Sequence, residues 1–295
     1  MAYSLIGKDF IPPDVHGKVT GKAKYAEDFK VDGMLHARLL TSPVPHARIV
    51  RLDVSKALQM EGVVAVLTAD DVPSIPNLGN PILTNEPAYV GDPILAIAAI
   101  NEGVAEDALQ AINFDFEPLP FVVDPLTSLR PGGPHARTQG NVGNATMQDD
   151  FRSIHWSNDE MASLINGDLP QGESAREWIV GDLETGFAAA AYTIDESFVT
   201  ASYSHNSMEP RSALAYWENG KCFLYGSSQS QSFPVPALAG YIGIEPENLV
   251  FVAEFCGGGF GSKGGAYPAM SIPAHMSKLT GRPVMMRVSR EQENY

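Results

Sequence analysis

Short apolar runs, alternating with polar positions and divided by turn residues, dominate the first part of the chain. Residues 34–40, 48–54 and 62–67 read as strands, with a short helix over 55–60. Residues 89–99 form a longer apolar run broken by Gly91-Asp92-Pro93, a turn signal inside a buried strand. Residues 104–112 place small and apolar side chains at helical spacing, and 113–117 begin another strand. Ahead of these, residues 14–28 carry turn glycines around what read as short extended stretches. Strands mixed with short helices predict an α+β domain over residues 14–126.

The pattern then weakens. Residues 127–178 read as a connector, with loop signals at Arg130-Pro131-Gly132-Gly133-Pro134 and at Gly140-Asn141-Val142-Gly143-Asn144. Phe151, Ile154, Trp156, Met161, Leu164 and Ile165 make part of it apolar enough to pack on a neighbour. A second domain is expected over 179–295. It opens with an alanine-rich helix at 181–191, acidic at its N-terminal end, followed by a strand over 192–200. Residues 213–218 and 221–227 read as a hairpin turned at Asn219-Gly220. A helix over 233–242, a buried strand over 249–255, a helix over 266–279 that closes at Gly281, and a strand over 283–289 complete the prediction.

Composition narrows the function classes. The 295 residues are enough for two cores, and 44% hydrophobic with 19% charged residues is ordinary for a globular protein. A net charge of −15 argues against nucleic acid or an anionic membrane as partner. No apolar run approaches a bilayer span, and residues 1–10 lack the basic-then-apolar pattern of a secretory signal, so a cytoplasmic location is expected. Two cysteines, Cys222 and Cys256, exclude a disulfide framework or a cysteine-ligated iron–sulfur cluster within these residues. The seven histidines form no H-x-x-x-H or H-E-x-x-H spacing, which makes a protein-ligated zinc site unexpected.

The richest local signal is Cys256-Gly257-Gly258-Gly259-Phe260-Gly261-Ser262-Lys263-Gly264-Gly265, between a predicted strand and a predicted helix. Glycines let backbone approach a bulky ligand and tolerate positive φ. Strand, glycine loop and helix together suit an anionic group held on backbone N–H donors. Gly259 to Gly264 also satisfies G-x-G-x-x-G, but a dinucleotide fold needs a second parallel strand and an acidic residue about 20 positions on. Only a strand at 283–289 and Glu291 follow, and a Walker pattern is absent.

The segment Glu254 to Lys263 resembles the G-G-G-F-G-(G/S)-K signature of the xanthine dehydrogenase and aldehyde oxidase family. Other stretches match that family in order. They are Thr20-Gly21-Lys22-Ala23-Lys24-Tyr25, Ser42-Pro43-Val44-Pro45-His46-Ala47-Arg48-Ile49 and Tyr89-Val90-Gly91-Asp92-Pro93. Two more follow: His205-Asn206-Ser207-Met208-Glu209-Pro210, similar to H-x-x-(M/L)-E-P, and Ser227-Ser228-Gln229, similar to S-T-Q. The resemblance implies an α/β hammerhead domain followed by the first part of a mixed α/β molybdenum-cofactor domain. His46 and Arg48 are read as pinning two strands rather than as catalytic.

The chemistry it implies is oxidation or hydroxylation of an electron-poor carbon, in an N-heterocycle or an aldehyde, with water as oxygen source. The implied cofactor is molybdenum–molybdopterin, with or without a cytosine dinucleotide. Gly258, Gly259, Phe260, Gly261, Ser262 and Gln229 would hold it, with a backbone N–H near Phe260 or Gly261 facing the metal's oxo group. Tyr203, Glu209 and Gly264 would line the substrate pocket. No side chain of this chain is expected to ligate the metal. Purine-oxidising relatives carry glutamate where Gly264 stands, and a glutamine where the resemblance places Tyr203, so purine oxidation is not expected. The family's general-base glutamate lies beyond the matched region and is expected in a partner chain. The expectation is a split molybdenum subunit with a second molybdenum-subunit chain, an iron–sulfur subunit and a flavin (FAD) subunit as partners. A non-catalytic scaffold or fragment is the alternative, and a dinucleotide-binding protein a remoter one.

Overall fold

Alanine and branched aliphatic residues at 93–99 place one strand deep inside the main sheet of the computed structural model. The structure describes residues 4–73, 81–143, 151–162, 169–170, 176–194, 196, 198, 200–201 and 203–294. In chain order its strands are β1 (Leu35–Thr41), β2 (Ala47–Asp53), β3 (Val63–Thr68), β4 (Pro93–Ala99), β5 (Asn113–Pro118), β6 (Val142–Gly143), β7 (Phe151–Arg152), β8 (Ser212–Glu218), β9 (Lys221–Gly226), β10 (Leu249–Val252) and β11 (Val284–Arg287).

Seven of them share one sheet in the order β10-β9-β8-β11-β1-β4-β3, and β2 pairs with β5 separately. Strands from the two ends of the sequence therefore interleave: β11 runs parallel to β1 on one side and antiparallel to β8 on the other. Both faces of β4 are covered. Ala96 and Ala98 pack with Ile272 and Met276, while Leu95 and Ile97 pack with Ala57, Ala108 and Ile112. A strand buried on both faces reads as a continuous apolar run, which is why 93–99 shows no alternation. The helices Val235–Ile242 and Ile272–Thr280 cover β8 and β9 through Leu238, Ala239 and Ala274, joined by Met270 of the 3-10 turn Pro268–Ser271.

Local chemistry sets most element ends. Asn219 at φ 51° and Gly220 at φ 78° turn the β8–β9 hairpin, the left-handed pair a two-residue turn requires. Asn101 caps the helix Glu102–Gln110 by accepting from the Val104 N–H, and Gly281 at φ 66° ends Ile272–Thr280. Four expectations are corrected. Residues 14–28 hold a short helix, Val15–Val19, and a 3-10 turn, Ala26–Asp28, instead of extended stretches. The strand expected from 89 starts at Pro93, because Gly91 at φ 98° turns the chain and the Asp92 N–H bonds back to Tyr89. The strand expected over 249–255 stops at Val252, where the backbone leaves β9 for the glycine loop. The described residues of 192–200 form no strand, and 195, 197 and 199 lie outside the described residues.

The described residues fall into two compact units. Residues 4–73, 81–119 and 204–294 make the first, and 120–143 with the described part of 151–203 make the second. In the second unit Asp124 caps the helix Pro125–Leu129, β6 pairs with β7, and the Asn141 amide bonds the Ser128 and Ile154 carbonyls. The helix Leu183–Ala189 begins at the acidic cap Asp182, as the sequence suggested, and is exposed throughout. Of the apolar connector residues, Leu164 and Ile165 lie outside the described residues.

Candidate functional site

Strand β10 delivers the chain into the glycine loop, and its neighbour β9 runs on into Ser227-Ser228-Gln229 beside it. Two polar side chains support the loop. The Gln229 amide oxygen accepts from the Gly261 N–H at 2.9 Å and the Lys263 N–H at 3.2 Å, and the Gln229 N–H donates to the Lys263 carbonyl at 2.9 Å. The Glu209 carboxylate accepts from the Gly257 N–H at 2.7 Å and the Ala26 N–H at 3.4 Å. The Glu209 N–H donates to the Gly257 carbonyl at 3.2 Å, so the two residues exchange a pair of bonds.

These supports explain the glycines. A Cβ on Gly257 would stand 2.5 Å from the Glu209 Cβ, and one on Gly259 would stand 2.3 Å from the Gln229 Oε1. Gly258 at φ 101° and Gly261 at φ 105° need the left-handed region. Phe260 sits there too, at φ 52°, with its ring 74% exposed. A bulky residue in that region is strained and is held by its surroundings. Ser262 closes the turn, with its N–H and its hydroxyl both donating to the Gly259 carbonyl.

Three contributors received no role from sequence reasoning. Lys263 is buried, and its ammonium donates to the Glu209 carbonyl and lies 3.5 Å from the Glu209 carboxylate. Arg211 donates to the Ser262 carbonyl at 2.8 Å while pairing with Glu293 at 2.6 Å. His205 stands beside Gly261, with Nε2 3.8 Å from where a Cβ would be. The cluster Glu209-Pro210-Arg211, just before the alanine-rich start of β8, was the available sign that charge is buried here. Burial pushes the Cys256 thiol pKa up, and it raises that of the Tyr267 hydroxyl beneath Arg211, whose guanidinium opposes the shift.

The expected pocket residues differ in their surroundings. Glu209, expected to line the pocket, lies under the loop at 6% exposure with its carboxylate committed to N–H donors and to Lys263. Tyr203 belongs to the second unit and is 82% exposed; Gln229 is the carboxamide that bonds the loop. A Cβ on Gly264 would meet only the Gly261 carbonyl, at 3.5 Å, so a side chain could leave the backbone there without overlap at its first carbon. Of the two N–H donors expected to face a ligand, that of Gly261 is taken by Gln229. That of Phe260 has no acceptor among the described residues.

Comparison with known proteins gives the family of both parts of the chain. The model for an aldehyde oxidase and xanthine dehydrogenase a/b hammerhead domain matches residues 20–120, and that for a molybdopterin cofactor-binding domain matches 167–294. The chain is 31% identical over 96% of its length to a probable xanthine dehydrogenase subunit of Bacillus subtilis, of which it covers 35%. It is 29% identical to the nicotinate dehydrogenase large molybdopterin subunit of Eubacterium barkeri, covering 98% of this chain and 63% of that one. Among solved structures, quinoline 2-oxidoreductase from Pseudomonas putida superposes at TM-score 0.75 with 26% identity, over 98% of this chain and 35% of that one. Aldehyde oxidoreductase from Desulfovibrio gigas superposes at 0.71 with 28% identity, over 96% and 30%. The chain thus spans less than two thirds of each of these relatives.

Proposed function

Because the chain belongs to the xanthine dehydrogenase and aldehyde oxidase family, we propose that it forms the glycine-loop wall of a molybdenum–pterin site in an oxidoreductase. The observation that carries this reading is the two-sided loop. Its lower side is bonded to Glu209, Gln229 and Lys263, and its upper side offers bare glycine backbone, the Phe260 N–H and an exposed ring. A large, polar cofactor fits such a surface, because no Cβ at Gly261 keeps it from the backbone.

The residues that would hold the group are the backbone of Gly258 to Ser262 and the side chain of Gln229. When bound, such a cofactor supplies two-electron oxidation of an electron-poor carbon, with water as oxygen source. The protein's part is to orient it, to exclude water, and to present preorganised donors where negative charge gathers. The Phe260 N–H is the donor left for that task. Gly264 brings no carboxylate beside the loop, which supports N-heterocycles or aldehydes that need no acidic partner there. The general base is supplied by residues other than these 295.

The partners are polypeptides carrying iron–sulfur clusters and FAD. In support, relatives are named as subunits of complexes, and Trp178, Val180, Tyr192 and Phe198 are each about 90% exposed or more, as surfaces covered by another protein are. No helix among the described residues is long and apolar enough to cross a membrane. The test is purification of the tagged chain from its own host, with metal, pterin and mass-spectrometric analysis. Molybdenum, iron and a flavin-bearing partner together support the reading, and nucleotide analysis of the extract tells molybdopterin from its cytosine dinucleotide. A chain that returns alone and metal-free overturns it in favour of a scaffold.

A further inference from the structure

We propose that His205 is a hydrogen-bond donor to the group seated on the glycine loop, a role that rests on the reading above. The loop's glycines have two kinds of neighbour. Beneath Gly257 and Gly259 lie Glu209 and Gln229, which would be overlapped by any side chain. Above Gly261 the space is open except for one atom within 4 Å, the His205 Nε2 at 3.8 Å. An imidazole therefore borders the face that the supports leave free.

The ring is not there by chance of a loose loop. Asn206, next to it, is left-handed at φ 46°, a conformation asparagine adopts more readily than other non-glycine residues, and it turns the chain there. Contacts just after it hold the turn in place. Arg290 donates to the Ser207 carbonyl at 2.6 Å and to the Met208 carbonyl at 3.1 Å. Ser207 is 1% exposed, and Glu209 is bonded to Gly257 on both its N–H and its carboxylate. A turn anchored on Arg290, Ser207 and Glu209 thus presents a single exposed imidazole, which bonds no described residue.

That imidazole suits an oxygen or sulfur acceptor on an anionic cofactor, which Gly261 would let near the backbone while the Phe260 N–H would serve a second acceptor. Side chain and backbone donor then flank the same glycine. His205 is a positioning residue for the cofactor, and its removal leaves the fold untouched because it supports nothing else.

The experiment compares the complete enzyme purified from its host with His205→Leu and His205→Gln. Four quantities are measured: molybdenum per chain, the electron paramagnetic resonance spectrum of the partly reduced metal, the melting temperature, and KM for substrate. Loss of one ordinary hydrogen bond predicts about a fivefold drop in cofactor affinity for His205→Leu. A changed spectrum should accompany it, with partial retention in His205→Gln and unchanged melting in both. Molybdenum content and spectrum identical to wild type in His205→Leu overturn the proposal, and a raised KM in that variant would turn the ring toward substrate instead. Wild-type enzyme without molybdenum is a different failure, that of the functional reading itself.

Discussion

The ammonium of Lys263, with no exposed surface on its side chain, donates to the Glu209 carbonyl and stands 3.5 Å from the Glu209 carboxylate, 5% exposed. Two charges out of water tolerate each other only as a pair, and the pair is what fastens the glycine loop to the segment before β8. Removing one partner leaves the other buried and unbalanced, which typically costs about 3–5 kcal/mol. Lys263→Met is therefore expected to destabilise the first unit by an amount of that order in chemical denaturation. The Glu209→Gln/Lys263→Met double variant is expected to recover most of the loss, because no lone charge remains. Equal losses in single and double variants would show that shape, not charge, holds the loop.

The Gly259 position permits a sharper steric test. An alanine Cβ would fall 2.3 Å from the Gln229 Oε1 and 2.4 Å from its Cδ, so the carboxamide must leave. Its bonds to the Gly261 and Lys263 N–H groups go with it. Hydrogen exchange at those two amides should accelerate in Gly259→Ala, with about 1–3 kcal/mol of stability lost. Gly264→Ala, whose Cβ meets nothing closer than 3.5 Å, serves as the control and should exchange as wild type does.

His275 gives a pH dependence with a definite sign. Burial holds its imidazole pKa below the ordinary 6.5, and its Nε2 bonds the Tyr241 carbonyl at 2.9 Å. The unfolded chain takes up a proton below pH 6.5 that the folded chain still refuses, so this contribution is present above that pH and fades as pH falls. Denaturation midpoints at about pH 7.5 and 5.5 should drop further for wild type than for His275→Gln. Equal drops would remove His275 as the cause.

The Tyr267 hydroxyl is buried and finds no hydrogen-bond partner among the described residues. A polar atom left in that state contributes nothing and is desolvated, so Tyr267→Phe should be neutral or stabilising by up to about 1 kcal/mol. A melting temperature that falls instead would reveal a bound water as its partner.

How much of this was legible in advance differs by element. The hairpin at Asn219-Gly220 and the helix end at Gly281 were readable because only a few residue types adopt positive φ, so the residue announces the backbone. The short helix at Val15–Val19 was not, since His16, Gly17 and Lys18 carry no helical stripe and no residue of it is buried. In the site, the glycines were visible but their supports were not. Glu209 and Lys263 are 54 positions apart, and nothing in either neighbourhood says that the two charges cancel each other.

Taken alone, the sequence determined the α+β class, most element positions, and the presence of a glycine-dense loop, because these follow from local periodicity and conformational freedom. The tertiary structure decided which strands share a sheet, placing β11 between β8 and β1, and which face of the loop is open. Pairing and burial depend on contacts between distant segments. It is those contacts that put Glu209 beneath the loop and His205 beside Gly261, near neighbours in the chain and in different roles.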